Sequence, residues 1–195
     1  MTYTHLEIAL KELRTLHSTH AELSIFCPFP DDVTRQPRAP YSIPATELFA
    51  MQDGLDASAY SDLRDALRGL GSDMLWRETY NDSDTDPDFM NRFGCYEIIG
   101  RDAPFRSKKM RGFLVFQPPH LHYPWHHHSA DEIYVVIAGE AEFFLQGAPS
   151  QTLQSGQSAF HPSGAAHALT RHAHPVIAYV VWRDDFDVAP VWSTR

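Results

Sequence analysis

Two imidazoles, a carboxylate and a phenol fall at even positions of one short stretch: His126, His128, Glu132 and Tyr134, within residues 123–139. In an extended chain successive side chains alternate faces, so even positions can share one face and His127 turns the other way. Two imidazoles and a carboxylate converging on one face suit a divalent transition metal. A second stretch, residues 156–167, sets His167 at a fixed offset from Gly156, Pro162 and Gly164. A further ligand from a distant strand is what a site inside a β-barrel needs. Mixed nitrogen and oxygen ligands accept Zn, Fe or Mn, and also Co or Ni, so the residues imply one divalent metal ion without naming it.

These side chains need a scaffold, and the pattern of the chain changes half-way along it. Residues 5–24 space Leu6, Ile8, Ala9, Leu10, Leu13 and Leu16 between charges, which predicts an amphipathic helix. Residues 28–44 hold five prolines and read as an extended connector. Thr46 is placed to cap a second helix through about Gln52, and Ser58 or Ser61 a third that ends near Gly69 and Gly71. Trp76 and Tyr80 read as its continuation or as a packing segment. Residues 81–88 form an acidic, turn-rich loop; they lack the glycine and closing glutamate of an EF-hand, which favours a solvated loop over a calcium site.

From Tyr96 onward short β-rich runs follow one another: 96–99, 112–117, 132–138, 141–146, 158–161, 167–170 and 176–182. Turns at short intervals separate them, the signal of an antiparallel sandwich or barrel. Gly139 and Glu140 are expected to make a tight turn between two of these strands. Trp192 in the tail is expected to pack on the barrel or its helices. The boundary between a helical extension, 1–95, and a barrel, 96–195, follows.

The chain has 195 residues, 43% hydrophobic, enough for a sizeable core in one or two domains. A formal net charge of −9 with no basic cluster argues against nucleic acid or an anionic membrane as partner. There is no run of ~20 apolar residues to span a membrane. The N-terminus lacks the apolar core of a signal peptide, so a cytoplasmic protein is expected. Cys27 and Cys95 form no framework and read as free, buried thiols. Histidine is the unusual entry in the composition: nine of 12 lie between His120 and His174.

The two histidine stretches resemble the two cupin motifs. The first, G-x5-H-x-H-x3-4-E-x6-G, is matched by His126, His128, Glu132 and Gly139, with His120 where the leading glycine would stand. The second, G-x5-P-x-G-x2-H-x3-N, is matched by Gly156, Pro162, Gly164 and His167, with Arg171 where the asparagine would stand. This likeness covers residues 112–182 and implies a mainly β fold: a single cupin barrel, a double-stranded β-helix or jelly roll, behind an α-helical N-terminal extension. A narrower likeness spans most of the chain. The helical extension, Tyr123 before W-H-H-H, and Tyr134 two residues after Glu132 resemble the bacterial cupin lyases of dimethylsulfoniopropionate, of the DddQ type. That resemblance implies metal ligands His128, Glu132, Tyr134 and His167; the general cupin pattern adds His126. It also implies cleavage of a sulfonium carboxylate to dimethyl sulfide and acrylate.

The implied reaction is a β-elimination, and the residues suit it. A metal beside the substrate carboxylate stabilises the enediolate-like transition state. A tyrosine is ordinarily protonated up to about pH 10, and metal contact favours its anion. Tyr134 is therefore the first candidate for the base, and Tyr123 the second, or a residue that positions the carboxylate. Aromatic faces hold sulfonium cations at about 0.5–2 kcal/mol each, and Trp125, Tyr179 and Trp182 are candidates. His122 is a candidate for the substrate carboxylate. Without the family likeness Tyr134 would pass for a core tyrosine, and Trp125 and Trp182 for barrel packing. His120 and His127 read as surface groups or supports for the ligands, and His161, His172 and His174 as structural or solvent-facing. Two other functions fit the same ligands: an iron-dependent cupin dioxygenase, and a non-catalytic cupin that binds a metal and a small ligand. The expected partner is a small molecule, bound by a monomer or homodimer.

Overall fold

The computed structural model describes residues 4–80 and 85–193. Residues 81–84, half of the expected acidic loop, lie outside the described residues. Helix α1 (His5–Thr19) starts at a reciprocal cap: the Glu7 amide donates to Thr4 Oγ1, and the Thr4 amide donates to the Glu7 carboxylate at 2.9 Å. Ala9, Leu13 and Leu16 bury one face of it. The single helix expected over 5–24 is instead two. His20 takes an extended backbone and its imidazole accepts the Leu23 amide at 3.3 Å, capping a separate α2 (Ala21–Phe26).

Helix α3 (Pro44–Met51) begins two residues before the expected cap, because Pro44 suits a first turn that needs no N–H. Thr46 still serves the start: its hydroxyl accepts the Ile43 amide at 3.0 Å. Helix α4 (Ser61–Leu70) starts at Ser61 and is closed by Gly71 just past its end, close to expectation. The second half of the acidic loop leads into an unexpected short helix, α5 (Pro87–Arg92), capped by the Asp86 carboxylate and opened by Pro87.

Two sheets make the barrel. One orders β1 (Thr34–Arg35), β3 (Phe105–Arg106), β2 (Gly94–Ile99), β4 (Arg111–Gln117), β10 (Val176–Arg183), the first half of β6 (Asp131–Leu145) and β8 (Ser158–His161). The other joins the second half of β6 to β7 (Gln151–Gln154) on one side. On its other side follow β9 (His167–Thr170), β5 (His122–His127) and β11 (Val191–Trp192). This is the expected cupin barrel, and the extension lends it β1.

The turn expected at Gly139 is not a turn. β6 runs straight through as one strand and changes sheets there. Gly139 has φ +74°, and a Cβ at this position would collide with the Pro175 carbonyl oxygen. Glycine is thus required by both backbone conformation and close approach. A register shift opposite Ile177 and Ala178 adds the bend.

Strand parity divides the core. Tyr134 and Val136 of β6, Phe113 and Val115 of β4, and Ala178, Val180 and Trp182 of β10 face the barrel interior. Ile133, Val135, Leu114, Phe116, Ile177, Tyr179 and Val181 face outward and meet the helices, with Leu13, Leu16, Phe49, Leu63 and Leu67. Each such large side chain contributes about 1.5–3 kcal/mol by leaving water. The extension is therefore cemented to the barrel's outer face. Both cysteines are free and buried. Among the described residues no helix is long and apolar enough to cross a membrane.

Candidate metal centre

Three side chains converge inside the barrel. His128, just past the end of β5, Glu132 at the start of β6 and His167 at the start of β9 bring one ligand atom each within 4.8 Å of one another, all buried. Glu132 Oε1 lies 3.4 Å from His128 Nε2, and Glu132 Oε2 lies 3.1 Å from His167 Nε2.

The hydrogen bonds decide what these contacts are. His128 Nδ1 faces the Ala130 carbonyl oxygen at 3.0 Å, and His167 Nδ1 faces that of Ala165 at 2.9 Å. A carbonyl oxygen can only accept, so each Nδ1 carries the proton. Each neutral ring then turns a lone pair on Nε2 toward a carboxylate oxygen, and both Nε2 atoms are buried without a hydrogen-bond partner. A proton on one ring relieves one of these contacts. A divalent cation satisfies both rings and the carboxylate together, and an N, N, O donor set suits a transition metal. The residues present fit the metal that the spacing implied.

Glu132 is held from behind on both oxygens. Trp182 Nε1–H donates to Oε1 at 2.6 Å, and His161 Nδ1–H donates to Oε2 at 2.9 Å. Burial pushes the Glu132 carboxyl up, but positive charge placed at His128 and His167, together with the His161 donor, holds it well below the carboxylate range. Burial also works against a charge on His128; Glu132 outweighs it and raises its pKa. Burial pulls His161 down to about 4, so it is a neutral donor here.

His126 sits beside this group rather than in it. It is buried, its Nδ1 bonded to the Pro124 carbonyl at 2.8 Å and its ring edge-on to His167 at 4.2 Å. Its other face stacks on Tyr123 at 4.0 Å. The Tyr123 hydroxyl shares a 2.7 Å hydrogen bond with Tyr80, and Tyr80 stacks on Trp192 of β11 at 3.8 Å. The tail thus packs on the barrel, as expected. Tyr134 is buried against Phe143 and the His161 ring. Burial pushes the phenols of Tyr123 and Tyr134 well above the ordinary tyrosine value; Arg171 partly opposes the shift at Tyr134. Tyr123, His126, Glu132, Tyr134 and Trp182 line one small cavity, together with Arg77, Thr79 and Cys95.

Comparison with known proteins gives the chain a family. The family profile of dimethylsulfoniopropionate lyases matches residues 23–178. The chain belongs to the dimethylsulfoniopropionate lyase family. It is 42% identical to the dimethylsulfoniopropionate lyase DddQ of Ruegeria pomeroyi over 182 residues, 93% of this chain and 90% of that protein. A crystal structure of DddQ from Ruegeria pomeroyi superposes with a TM-score of 0.94 at 40% identity, covering 97% of this chain and 96% of that one. A chain from the crystal structures of the dimethylsulfoniopropionate lyases RdDddP and RnDddQII gives 0.93 at 31% identity, covering 97% and 98%.

Three of the residues expected at the site of this lyase-family member lie elsewhere. Tyr179 is on the outward face of β10, one residue out of phase with Val180 and Trp182; its hydroxyl meets His17 Nε2 of α1 at 3.1 Å. Trp125 is half-buried, near Phe144 at 6.2 Å between ring centres and off the cavity. His122 is exposed and bonds Thr170 Oγ1 at 2.8 Å, also off the cavity. His161 was expected to be structural or solvent-facing. It instead stands next to Glu132, because β8 pairs with β6 in the register Glu132–His161. Parity within a strand would have excluded Tyr179 once Trp182 was chosen; nothing local in the sequence signals the pairing that brings His161 in.

Proposed function

We propose that this protein cleaves dimethylsulfoniopropionate to dimethyl sulfide and acrylate by β-elimination in the cavity beside Glu132. The observation that carries this reading is the pair of buried lone pairs, His128 Nε2 and His167 Nε2, turned on a carboxylate. His128, Glu132 and His167 hold one divalent transition metal, with Tyr134 as a further ligand and His126 at the flank. When bound, the metal supplies positive charge that favours a phenolate and withdraws charge from a carboxylate. Zn, Fe and Mn all suit the donor set.

Tyr134 acts as general base. Its oxygen takes a proton from the carbon next to the substrate carboxylate. The C–H electron pair becomes the carbon–carbon double bond, and the C–S bond breaks with its pair on sulfur, which neutralises the sulfonium. Burial alone keeps Tyr134 protonated, so the base depends on positive charge nearby, from the metal and from Arg171. Tyr123, tied to Tyr80 and stacked on His126, is rigid and faces the same cavity; it positions substrate. Trp182 keeps Glu132 in place and offers its ring to the sulfonium.

The membership of the lyase family favours this reaction over an oxygen-using cupin or a binding module. The test is dimethyl sulfide in the headspace over purified protein fed dimethylsulfoniopropionate under nitrogen, with and without a chelator. Sulfide should form without oxygen and disappear when metal is removed. Tyr134→Phe should abolish turnover while His128, Glu132 and His167 still retain metal by elemental analysis of protein kept in excess metal. No sulfide with any divalent metal restored would overturn the proposal.

A further inference from the structure

The cavity beside Glu132 contains one guanidinium, that of Arg77, and the reaction proposed above gives it no role. Arg77 lies on the segment that crosses the barrel between α4 and α5, anchored by its amide on the Cys95 carbonyl at 2.9 Å. Its guanidinium rests over the Phe113 ring, 5.1 Å from the centroid. Arg111 sits at 5.0 Å from the same ring, but there the charge is matched by Glu97 at 2.6 Å. Among the described residues no carboxylate matches Arg77, and its guanidinium donates no hydrogen bond. Arg77 is half-buried, and its guanidinium presents donors in a rigid fork that a carboxylate can engage two at a time.

Two residues on, Thr79 lines the same cavity, and its Oγ1 is buried with no hydrogen-bond partner. A two-residue offset in an extended segment puts both side chains on one side. A fork of N–H donors and a hydroxyl donor, both unmatched and both facing one cavity, suit a carboxylate. Arg77 and Trp182 also line the outer groove with Glu78, Asp102 and Asp187, so they stand where a ligand would pass inward.

We propose that Arg77 and Thr79 bind the carboxylate of the substrate and of its acrylate product, and so set the requirement for a carboxylate-bearing sulfonium. This rests on taking the cavity as the lyase site. It orients the substrate: the carboxylate points to the Arg77 side.

The experiment measures equilibrium binding of sodium acrylate and of trimethylsulfonium, a cation with no carboxylate, by calorimetry on metal-loaded and metal-depleted protein. Arg77→Met should weaken acrylate binding by roughly 10- to 100-fold in both forms and leave trimethylsulfonium unchanged. Arg77→Lys should recover part of the loss, and KM should rise more than kcat falls. Thr79→Val, a near-isosteric change, should weaken acrylate several-fold and covers the case in which Arg77→Met does not fold. Acrylate binding by the folded variants within twofold of wild type, or none by wild type, overturns the proposal. Wild type that binds acrylate through Arg77 but releases no dimethyl sulfide would sink the lyase reading and leave the carboxylate site standing.

Discussion

Replacing Tyr179 by phenylalanine should weaken the fold and spare the chemistry. The Tyr179 hydroxyl lies 3.1 Å from His17 Nε2 in the interface between α1 and the outer face of the barrel. His17 Nδ1 is bonded to the Cys27 carbonyl at 2.7 Å, which fixes its proton there and leaves Nε2 as an acceptor. Phenylalanine keeps the ring and its packing but strands that acceptor, because His17 is only 1% exposed. An unsatisfied buried group costs ~1–3 kcal/mol. For a chain of this size that lowers the melting temperature by roughly 2–12 °C. Dimethyl sulfide release at a temperature where both proteins stay folded should match wild type within about twofold, since the hydroxyl faces away from Glu132. The paired control is Trp182→Phe, three residues on and facing inward, which removes the N–H on Glu132 Oε1. It should weaken metal retention under chelator competition. A Tyr179→Phe protein that melts like wild type but has lost turnover would refute the assignment of faces on β10.

The same His17 predicts an acid limit. Burial holds its pKa down at about 4 against an ordinary 6.5. The unfolded chain therefore takes up a proton first as pH falls, so this contribution is whole above 6.5 and lost on the way down to 4. The loss reaches at most about 3 kcal/mol, and chemical denaturation across that range, compared with His17→Leu, measures it. His161→Asn should loosen Glu132 and cost about 10–100-fold in metal affinity. Competition with a chelator reads this directly; unchanged affinity would mean that the 2.9 Å contact with Glu132 does not hold the carboxylate in place.

The sequence by itself determined the class of fold and singled out the three side chains that converge in the candidate metal centre. His128 and Glu132 stand out by parity, because a strand's period of two turns even positions to one face, and His167 by its fixed offset from Gly156, Pro162 and Gly164. Short β-rich runs after Tyr96 and a helical pattern before it announced a barrel behind a helical extension. Local signals also reached the start of α1 at His5 and the end of α4 near Gly71, although the break at His20 and the proline start of α3 shifted other boundaries. What neighbours what across the sheets was decided only by the tertiary structure. His161 meets Glu132 through the register of β8 on β6, Tyr80 meets Tyr123 across a loop, and Arg77 reaches the cavity from outside the strands. Gly139 looked like a hairpin turn because a positive φ serves a turn and a bent strand equally well. Only the Pro175 carbonyl pressed against it, a contact from another part of the chain, tells the two apart. Such contacts depend on register and closure between distant segments, and no local pattern of residue types encodes either.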